Sequence, residues 1–193
     1  GFLSTARYGL AGAGEQNAAL AFGGATPTTL SCTEEYDGTS WAAGGALITA
    51  RRLLAGAGTQ NAGLAFGGYI SEFIDNPLSC TEEYNGSSWS AGGALSTARY
   101  NLAGAGTQNA GLAFGGVADR NELSCTEEYD GTSWAAGGAL STARYCLAGA
   151  GTQNAGLAFG GQTPTTVSCT EEYDGTSWAA GGALITARRL LAG

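Results

Sequence analysis

Short apolar segments separated by glycine and other turn residues recur along the whole chain. In the first copy of the pattern they occupy residues 10–14, 18–22, 30–36 and 39–43. Segments of this length bounded by turn residues are typical of β-strands, and four of them predict a small antiparallel sheet. We expect a turn at Gln16-Asn17 between the first two strands and a two-residue type I′ turn at Asp37-Gly38 between the last two.

The pattern repeats with a nearly fixed period. Tryptophan occurs at positions 41, 89, 134 and 178, at intervals of 48, 45 and 44 residues. Four-stranded antiparallel sheets repeated at this spacing form the blades of a β-propeller. The first segment of each copy is mainly alanine and glycine, whereas tyrosine and tryptophan lie on the third and fourth. This gradient suits a blade that is thin at the axis and thick at the rim, so the predicted fold class is an all-β propeller.

The repeats define one predicted domain, residues 1–193, with four blades in a closed ring. Its units span residues 1–45, 46–93, 94–138 and 139–182, and residues 183–193 begin a fifth unit that repeats an earlier stretch without change. Three interpretations of this extra stretch stay open. It adds an inner strand to four blades, it belongs to a longer array, or it replaces or augments the first strand and closes the ring within or between chains.

Charge and cysteine content narrow the classes of partner and site. The net charge is −8, which argues against nucleic acid or an anionic membrane as the main partner. There is no histidine, and the cysteines are too widely spaced for zinc, so we expect no metal and no cofactor. Four cysteines occupy one repeat position, and we expect them to be reduced and buried: Cys32, Cys80, Cys125 and Cys169. This favours a virion or cytoplasmic location over a disulfide-rich secreted one.

Each unit carries a pair of glycines after the second strand, a tyrosine at the end of the third and a tryptophan on the fourth. The residues are Gly23, Gly24, Tyr36, Trp41; Gly67, Gly68, Tyr84, Trp89; Gly115, Gly116, Tyr129, Trp134; and Gly160, Gly161, Tyr173, Trp178. This pattern resembles the kelch repeat, and the near-identity of the copies is similar to tandem kelch-like repeats of marine phage proteins, some of them fibre-like. The resemblance implies a propeller that serves as a scaffold, as a ligand-capture domain or, less often, as an enzyme.

One arginine and two adjacent glutamates recur in every unit. Neighbouring residues of a strand point to opposite faces, so the two glutamates cannot share a proton as a catalytic dyad does. We expect a structural ring of ion pairs that joins the blades, together with tryptophans and tyrosines buried between them. The predicted structural residues are Arg51, Arg99, Arg144, Glu34, Glu82, Glu127, Glu171, Trp41, Trp89, Trp134 and Trp178.

The copies disagree mainly in the loop between the second and third strands. These loops span residues 25–29, 69–77, 117–122 and 162–166, and we call the end of the propeller that they form the loop face. A constant framework with variable loops is typical of a binding scaffold. The candidate binding residues are Tyr69, Ile70, Glu72, Phe73, Asp75, Asp119, Arg120 and Asn121. The alternative is a longer second loop that packs only against its own apolar residues.

The sequence favours a non-enzymatic structural or recognition module over an enzyme. Expected partners are a protein or glycan at the loop face, as in a virion or cell-surface fibre or a cytosolic interaction domain, with self-association through the terminal strand. The alternative is a hydrolase or oxidase with its site on the loop face or in the axial channel. No pair of nucleophile and base is visible. The chain has no histidine and no lysine, and the glutamates that could act as bases recur in every unit with an expected structural role. A third interpretation is a designed or recently amplified repeat without an evolved ligand.

Overall fold

The computed structural model describes residues 1–70 and 76–191, and within them every regular element is a β-strand. The described part of the chain has no helix long and apolar enough to cross a membrane. The strands are β1 Tyr8–Glu15, β2 Ala18–Ala25, β3 Thr33–Tyr36, β4 Trp41–Ala43, β5 Ala55–Thr59, β6 Ala62–Phe66, β7 Thr81–Tyr84, β8 Trp89–Ala91, β9 Ala103–Thr107, β10 Ala110–Phe114, β11 Val117–Ala118, β12 Asn121–Glu122, β13 Thr126–Tyr129, β14 Trp134–Gly137, β15 Ala148–Thr152, β16 Ala155–Phe159, β17 Thr170–Tyr173 and β18 Trp178–Ala180.

Four antiparallel sheets of four strands each form the blades of a β-propeller, which confirms the predicted fold class. Their orders are β1-β2-β3-β4, β5-β6-β7-β8, β9-β10-β13-β14 and β15-β16-β17-β18, and the small hairpin β11-β12 extends the third blade. Each strand therefore pairs with its neighbour in sequence, apart from that insertion. The predicted third strand at 30–36 begins only at Thr33, because Leu30 and Ser31 bond instead to the linker that follows the blade, at Arg51 and Leu47.

The type I′ turn expected at Asp37-Gly38 is wrong. Tyr36 pairs with Trp41, so four residues separate the strands, and Asp37 does not have the positive φ that this turn requires. The Asp37 carboxylate instead accepts hydrogen bonds of 2.8 Å from the backbone N–H groups of Thr39 and Ser40. An aspartate side chain that satisfies these donors stabilises the longer loop.

The blades pack through one interface that occurs three times. At the first boundary Leu20 and Phe22 of β2 are fully buried against Tyr84 and Trp89 of the second blade. The Phe22 and Trp89 ring centroids are 4.9 Å apart, and the next two boundaries repeat this pair with Phe66 and Trp134 and with Phe114 and Trp178. The core of the protein consists of these three clusters between the sheets, as a stack of wedge-shaped blades requires.

Within the described residues, none of the three core clusters joins the fourth blade to the first. Phe159, the counterpart of Phe22, is half-buried, and it pairs with no tryptophan there. Residues 182–191 follow the path of the earlier linkers, because Leu184 and Arg188 donate their backbone N–H groups to Ser168 and Val167. The counterpart of the next inner strand would begin at Ala192, outside the described residues, so the extra terminal strand stays a prediction.

Candidate functional site

The linkers bring framework side chains to the variable loops. Arg52 pairs with Tyr69, Tyr100 with Val117, and Tyr145 with Gln162, each in an isolated antiparallel bridge. The first member of each bridge directly follows the recurring arginine, and the second begins a variable loop. The linkers and loops therefore emerge at the same end of the propeller, as the up-and-down strand order predicted.

A row of aromatic and cationic side chains crosses the first two blades at the loop face. The Arg52 guanidinium carbon lies 5.7 Å from the ring centroids of both Tyr8 and Tyr69, and Arg52 Nη1 donates a 2.9 Å hydrogen bond to the Tyr8 hydroxyl. The Tyr69 ring lies 5.2 Å from that of Tyr100. Cation–π contacts hold such a row in place. Tyr69 thus joins this row, and Ile70 next to it is 37% exposed.

The variable loop of the third blade forms one wall of a cavity. The cavity has a volume of about 240 Å³ and is lined by Tyr100, Asn101, Val117, Arg120, Glu122 and Tyr145. Two phenol rings, an amide, a guanidinium and a carboxylate therefore converge on a space open to solvent. This is the combination of apolar walls and a few polar groups that small-ligand sites use.

The hairpin β11-β12 holds two of the predicted binding residues at its tip. Asp119 and Arg120 have φ values of 47° and 63°, the two positive values of a type I′ turn. Asn121 Nδ2 donates a 2.9 Å hydrogen bond to the Asp119 carbonyl. A left-handed arginine is uncommon and costs conformational energy, so the hairpin carries strain at the edge of the cavity.

The structure brings only part of the predicted site together. Arg120 lines the third-blade cavity, while Asp119 and Asn121 are exposed beside it. Tyr69 reaches the same neighbourhood through Tyr100. The predicted residues Glu72, Phe73 and Asp75 lie outside the described residues.

Sequence reasoning missed Tyr100 and Tyr145 as site residues, although a signal was present. The position after the recurring arginine differs among the copies, being occupied by Tyr8, Arg52, Tyr100, Tyr145 and Arg189. The next position also differs, with Gly9, Leu53, Asn101, Cys146 and Leu190. Variation inside a constant framework was the argument used for the loops, and it applies equally to these two positions.

The second of these variable positions surrounds the propeller axis. Leu53, Asn101, Cys146 and Leu190 have φ values between 53° and 56°, and each donates its backbone N–H to the carbonyl of the preceding member, starting from Gly9. They line an axial cavity of about 280 Å³. Burial raises the pKa of the Cys146 thiol to about 11, which keeps it protonated and a poor nucleophile at neutral pH.

The predicted pairs between arginine and glutamate are present at each blade. Arg51 Nη2 lies 2.8 Å from Glu82, Arg99 Nη2 lies 2.8 Å from Glu127 and Arg144 Nη2 lies 3.0 Å from Glu171. The arginine side chains are 0% exposed and the glutamates 3%. Arg7 and Glu34 form the same pair on the first blade at 3.0 Å. In each pair the arginine belongs to the linker that enters the blade of its glutamate.

The second of the two adjacent glutamates points to the opposite face of its strand, as strand alternation predicted, and the structure shows that it contacts the following blade. Glu35 accepts a hydrogen bond from the Tyr84 hydroxyl, Glu83 from Tyr129 at 2.5 Å and Glu128 from Tyr173 at 2.5 Å. These six framework glutamates of the first three blades therefore all have partners. Because these glutamates already bond to framework residues, the polar side chains around the third-blade cavity at the loop face are the better candidates for contact with a ligand.

The aromatic and cysteine predictions are right in part. Tyr84, Tyr129, Tyr173 and Trp89 are buried, whereas Tyr36, Trp41, Trp134 and Trp178 are half-buried. The five cysteines are free but half-buried, which corrects the expectation of full burial. Four of them lie beside a linker arginine, as where Arg99 Nη1 lies 2.8 Å from Cys125 Sγ. Burial raises the pKa of the Cys125 thiol, against the opposing effect of Arg99.

No family model matches the chain, and no curated protein matches it. Its function must therefore be argued from the loop face and from the repeated framework.

Proposed function

We propose that the protein is a non-enzymatic, kelch-type recognition module whose loop face binds a glycan. The observation that carries this proposal is the third-blade cavity, where Tyr100 and Tyr145 meet the strained Arg120 hairpin. The kelch assignment is supported by the paired glycines at the end of the second strand or directly after it, which adopt positive φ in every blade, as at Gly67 and Gly68. The near-identical repeats fit a fibre or surface element such as those of phages.

The chemistry of the cavity favours a sugar unit over a larger apolar ligand. Aromatic rings supply apolar surfaces for the C–H face of a pyranose, while the amide of Asn101, the guanidinium of Arg120 and the carboxylate of Glu122 can bond hydroxyl groups. The volume of about 240 Å³ lies below the range of about 300–1,000 Å³ for drug-sized ligands. A single sugar residue of a longer chain matches this size, and the row through Tyr69 and Arg52 offers further contacts.

A binding role is favoured over catalysis by the way the framework uses its ionisable groups. Nucleophilic and acid–base catalysis need a reactive group with a base in hydrogen-bond reach. The buried glutamates instead recur with the same structural partner at each blade, and the Cys146 thiol, with its raised pKa, is disfavoured as a nucleophile.

A glycan array, followed by calorimetry on the sugars it identifies, tests the proposal. We expect Tyr100→Ala and Tyr145→Ala to weaken binding by about tenfold or more, because each removes one aromatic wall. Tyr36→Ala is the control, since Tyr36 is a half-buried tyrosine that neither lines the cavity nor belongs to the row through Arg52 and Tyr69. Absence of any bound glycan, or equal affinity of all three variants and the wild type, would overturn the glycan assignment.

A further inference from the structure

One loop at the end of the propeller opposite the loop face differs chemically from its counterparts. The loops between the third and fourth strands read Asp-Gly-Thr-Ser at 37–40, 130–133 and 174–177, but Asn-Gly-Ser-Ser at 85–88. Asn85 is the only asparagine of the chain that a glycine follows. It is exposed, so water reaches its side-chain amide. The second blade therefore carries a hydrolysable amide where the other blades carry a carboxylate.

The side-chain oxygen of Asn85 is held by three close hydrogen-bond donors. Asn85 Oδ1 accepts bonds from the backbone N–H groups of Ser87 at 3.0 Å and Ser88 at 2.9 Å, and from the Ser87 hydroxyl at 2.9 Å. Because backbone N–H groups only donate, they fix which atom of the amide is the oxygen. These bonds polarise the carbonyl, which makes its carbon, Cγ, more open to attack by a nucleophile.

The backbone nitrogen of Gly86 is the nucleophile next to this carbon in the chain. Its attack on Asn85 Cγ closes a succinimide ring, an intramolecular step that proximity favours. Gly86 has a φ of 89°, a conformation that side chains rarely adopt, so the loop requires glycine and the attacking nitrogen has no Cβ beside it. Within the described residues the Gly86 N–H donates to no backbone carbonyl, so no such bond has to break before the attack.

We propose that Asn85 deamidates spontaneously in the folded protein and that its own loop promotes the reaction. A hydroxide ion or another solvent base takes the Gly86 N–H proton as the nitrogen bonds to Asn85 Cγ. The Cγ–Nδ2 bond then breaks, and the amide nitrogen takes up a proton from solvent and leaves as ammonia. Water opens the succinimide at Cγ, which keeps the peptide bond and leaves an aspartate, or at the backbone carbonyl carbon, which leaves an isoaspartate.

The donors of the loop stabilise the negative charge that this reaction creates. Charge develops on Asn85 Oδ1 as Cγ becomes tetrahedral, and hydrogen bonds to a charged oxygen are about twice as strong as those to a neutral one. Bonds that strengthen in the transition state accelerate a reaction. The first blade supports this effect, because the same loop lowers the pKa of Asp37, chiefly through the backbone N–H of Ser40. That loop therefore stabilises an anion at the position of Asn85.

The two products differ in what they do to the second blade. An aspartate keeps an oxygen acceptor for the backbone N–H groups of Ser87 and Ser88, as the aspartates of the other loops do, and adds one negative charge to the net charge of −8. An isoaspartate instead lengthens the backbone between Tyr84 and Trp89, which pair directly in the sheet, and so disturbs the loop. The end of the propeller opposite the loop face thus gains charge as the molecule ages.

Peptide mapping by mass spectrometry, after incubation in heavy-oxygen water at neutral pH, tests the proposal. We expect Asn85 to lose its amide and take up heavy oxygen faster than the other asparagines, and faster in the folded chain than in the same chain unfolded in urea. Ser87→Ala removes only the hydroxyl donor, so it should slow the folded reaction about fivefold and leave the unfolded rate unchanged. The matched control is Ser90→Ala, since Ser90 is an exposed serine of the same blade that bonds to the Glu83 carbonyl.

Hydroxylamine, which cleaves the chain at a succinimide, provides a second readout. It should cut the folded wild type between Asn85 and Gly86 and leave Asn85→Asp intact, with the unfolded wild type as the positive control. A folded wild type that stays uncut, a rate at Asn85 no higher in the folded chain than in the unfolded one, or a folded rate that Ser87→Ala leaves unchanged would each overturn the proposal. Neither readout depends on a ligand at the loop face.

Discussion

Trp134 Nε1 donates a 2.9 Å hydrogen bond to Thr81 Oγ1 across the boundary between the second and third blades. Trp89 and Trp178 make the same bond to Thr33 and Thr126 at the other two boundaries. The indole ring also packs on Phe66 of the preceding blade, with ring centroids 5.0 Å apart. One side chain thus supplies both apolar area and a directional bond to each boundary, so the stability of a blade depends on its neighbour.

Truncation of Trp134 is expected to destabilise the protein strongly. Trp134→Ala removes the ring from the boundary and leaves the space beside Phe66 empty. Because Trp134 is half-buried, we expect a loss of about 3 kcal/mol of unfolding free energy, the lower end of the range for large aromatic residues changed to alanine. Urea unfolding followed by circular dichroism measures the change. Trp41→Ala is the matched control, because Trp41 has the same strand position but, among the described residues, its ring contact is with Tyr36 of its own blade, at 5.0 Å. Equal losses in the two variants would contradict a role at the blade boundary.

Removal of one linker arginine is expected to be comparably costly. Arg99→Ala leaves Glu127 buried without its guanidinium, and breaking a buried pair on one side costs about 3–5 kcal/mol. Arg189→Ala serves as the control, because Arg189 is an exposed arginine that bonds to Gln162, and surface substitutions change stability by about 0.5 kcal/mol or less.

A double substitution distinguishes the loss of the pair from the loss of packing. Arg99→Met with Glu127→Leu removes both charges while keeping most of the apolar volume. It should recover most of the stability lost in Arg99→Ala, since the penalty comes from the uncompensated carboxylate. Failure to recover would mean that the Arg99 bonds to the carbonyls of Gly115 and Cys125 are the larger contribution.

The Arg120 hairpin offers a test that separates binding from stability. Arg120→Gly relieves a left-handed arginine and is expected to raise the free energy of unfolding by about 1 kcal/mol. The same change removes a guanidinium from the third-blade cavity, so glycan affinity should fall. Thermal melting and calorimetry on one protein sample measure both effects. A variant that is less stable, or that binds as tightly as the wild type, would contradict this assignment.

The strands and the faces of their side chains could be predicted from the sequence because both depend on residues that are close together in the chain. Strand alternation alone places Glu34 and Glu35 on opposite faces, and the structure shows Glu34 on the linker arginine and Glu35 on the next blade. The turn at Asp37 was predicted wrongly because the side chain competes with the backbone for the N–H groups of Thr39 and Ser40.

The loop-face row and the axial cavity depend instead on contacts between units. Nothing in the linker sequence indicates that Arg52 will lie between Tyr8 and Tyr69, since the three residues come from separate segments. The left-handed backbone at Leu53 is likewise set from outside, because its N–H bonds to Gly9 of the preceding unit. A leucine pattern carries no signal for such a conformation.

Three of the four loops that join the third and fourth strands of a blade should make the free energy of unfolding depend on pH in the acid range. In each of these loops a serine backbone N–H donates a hydrogen bond to the aspartate carboxylate, and this bond is the main cause that lowers the pKa of the aspartate. The pairs are Ser40 with Asp37, Ser133 with Asp130 and Ser177 with Asp174. A depressed folded-state pKa gives stability that is present above the unfolded-state value, near 3.8, and is lost as pH falls through the folded-state value.

The second blade supplies the control for this acid dependence. There Asn85 Oδ1 accepts the same two backbone bonds from Ser87 and Ser88 without titrating. A triple variant with asparagine at 37, 130 and 174 should keep the hairpins and lose less stability than the wild type below about pH 4. Melting temperature measured against pH provides the comparison. Curves of identical shape for the two proteins would rule out a contribution from these aspartates.

At the alkaline end, the tyrosines at the blade boundaries should control stability. Burial, and then the hydrogen bond to a glutamate, raise the pKa of Tyr129 and of Tyr173 to about 12. The unfolded chain loses these protons near pH 10, so the folded state binds more protons between pH 10 and 12. The contribution of these tyrosines to the free energy of unfolding is therefore fully present below pH 10 and is lost as pH rises to about 12.

In Tyr129→Phe this loss of stability should be shallower, whereas Tyr36→Phe, at a position without a glutamate partner among the described residues, should keep the wild-type slope. Ultraviolet absorbance of the phenolate, followed together with circular dichroism, should show Tyr129 ionising only as the blades separate. Ionisation near pH 10 with the fold intact would show that the buried bond to Glu83 does not hold the proton.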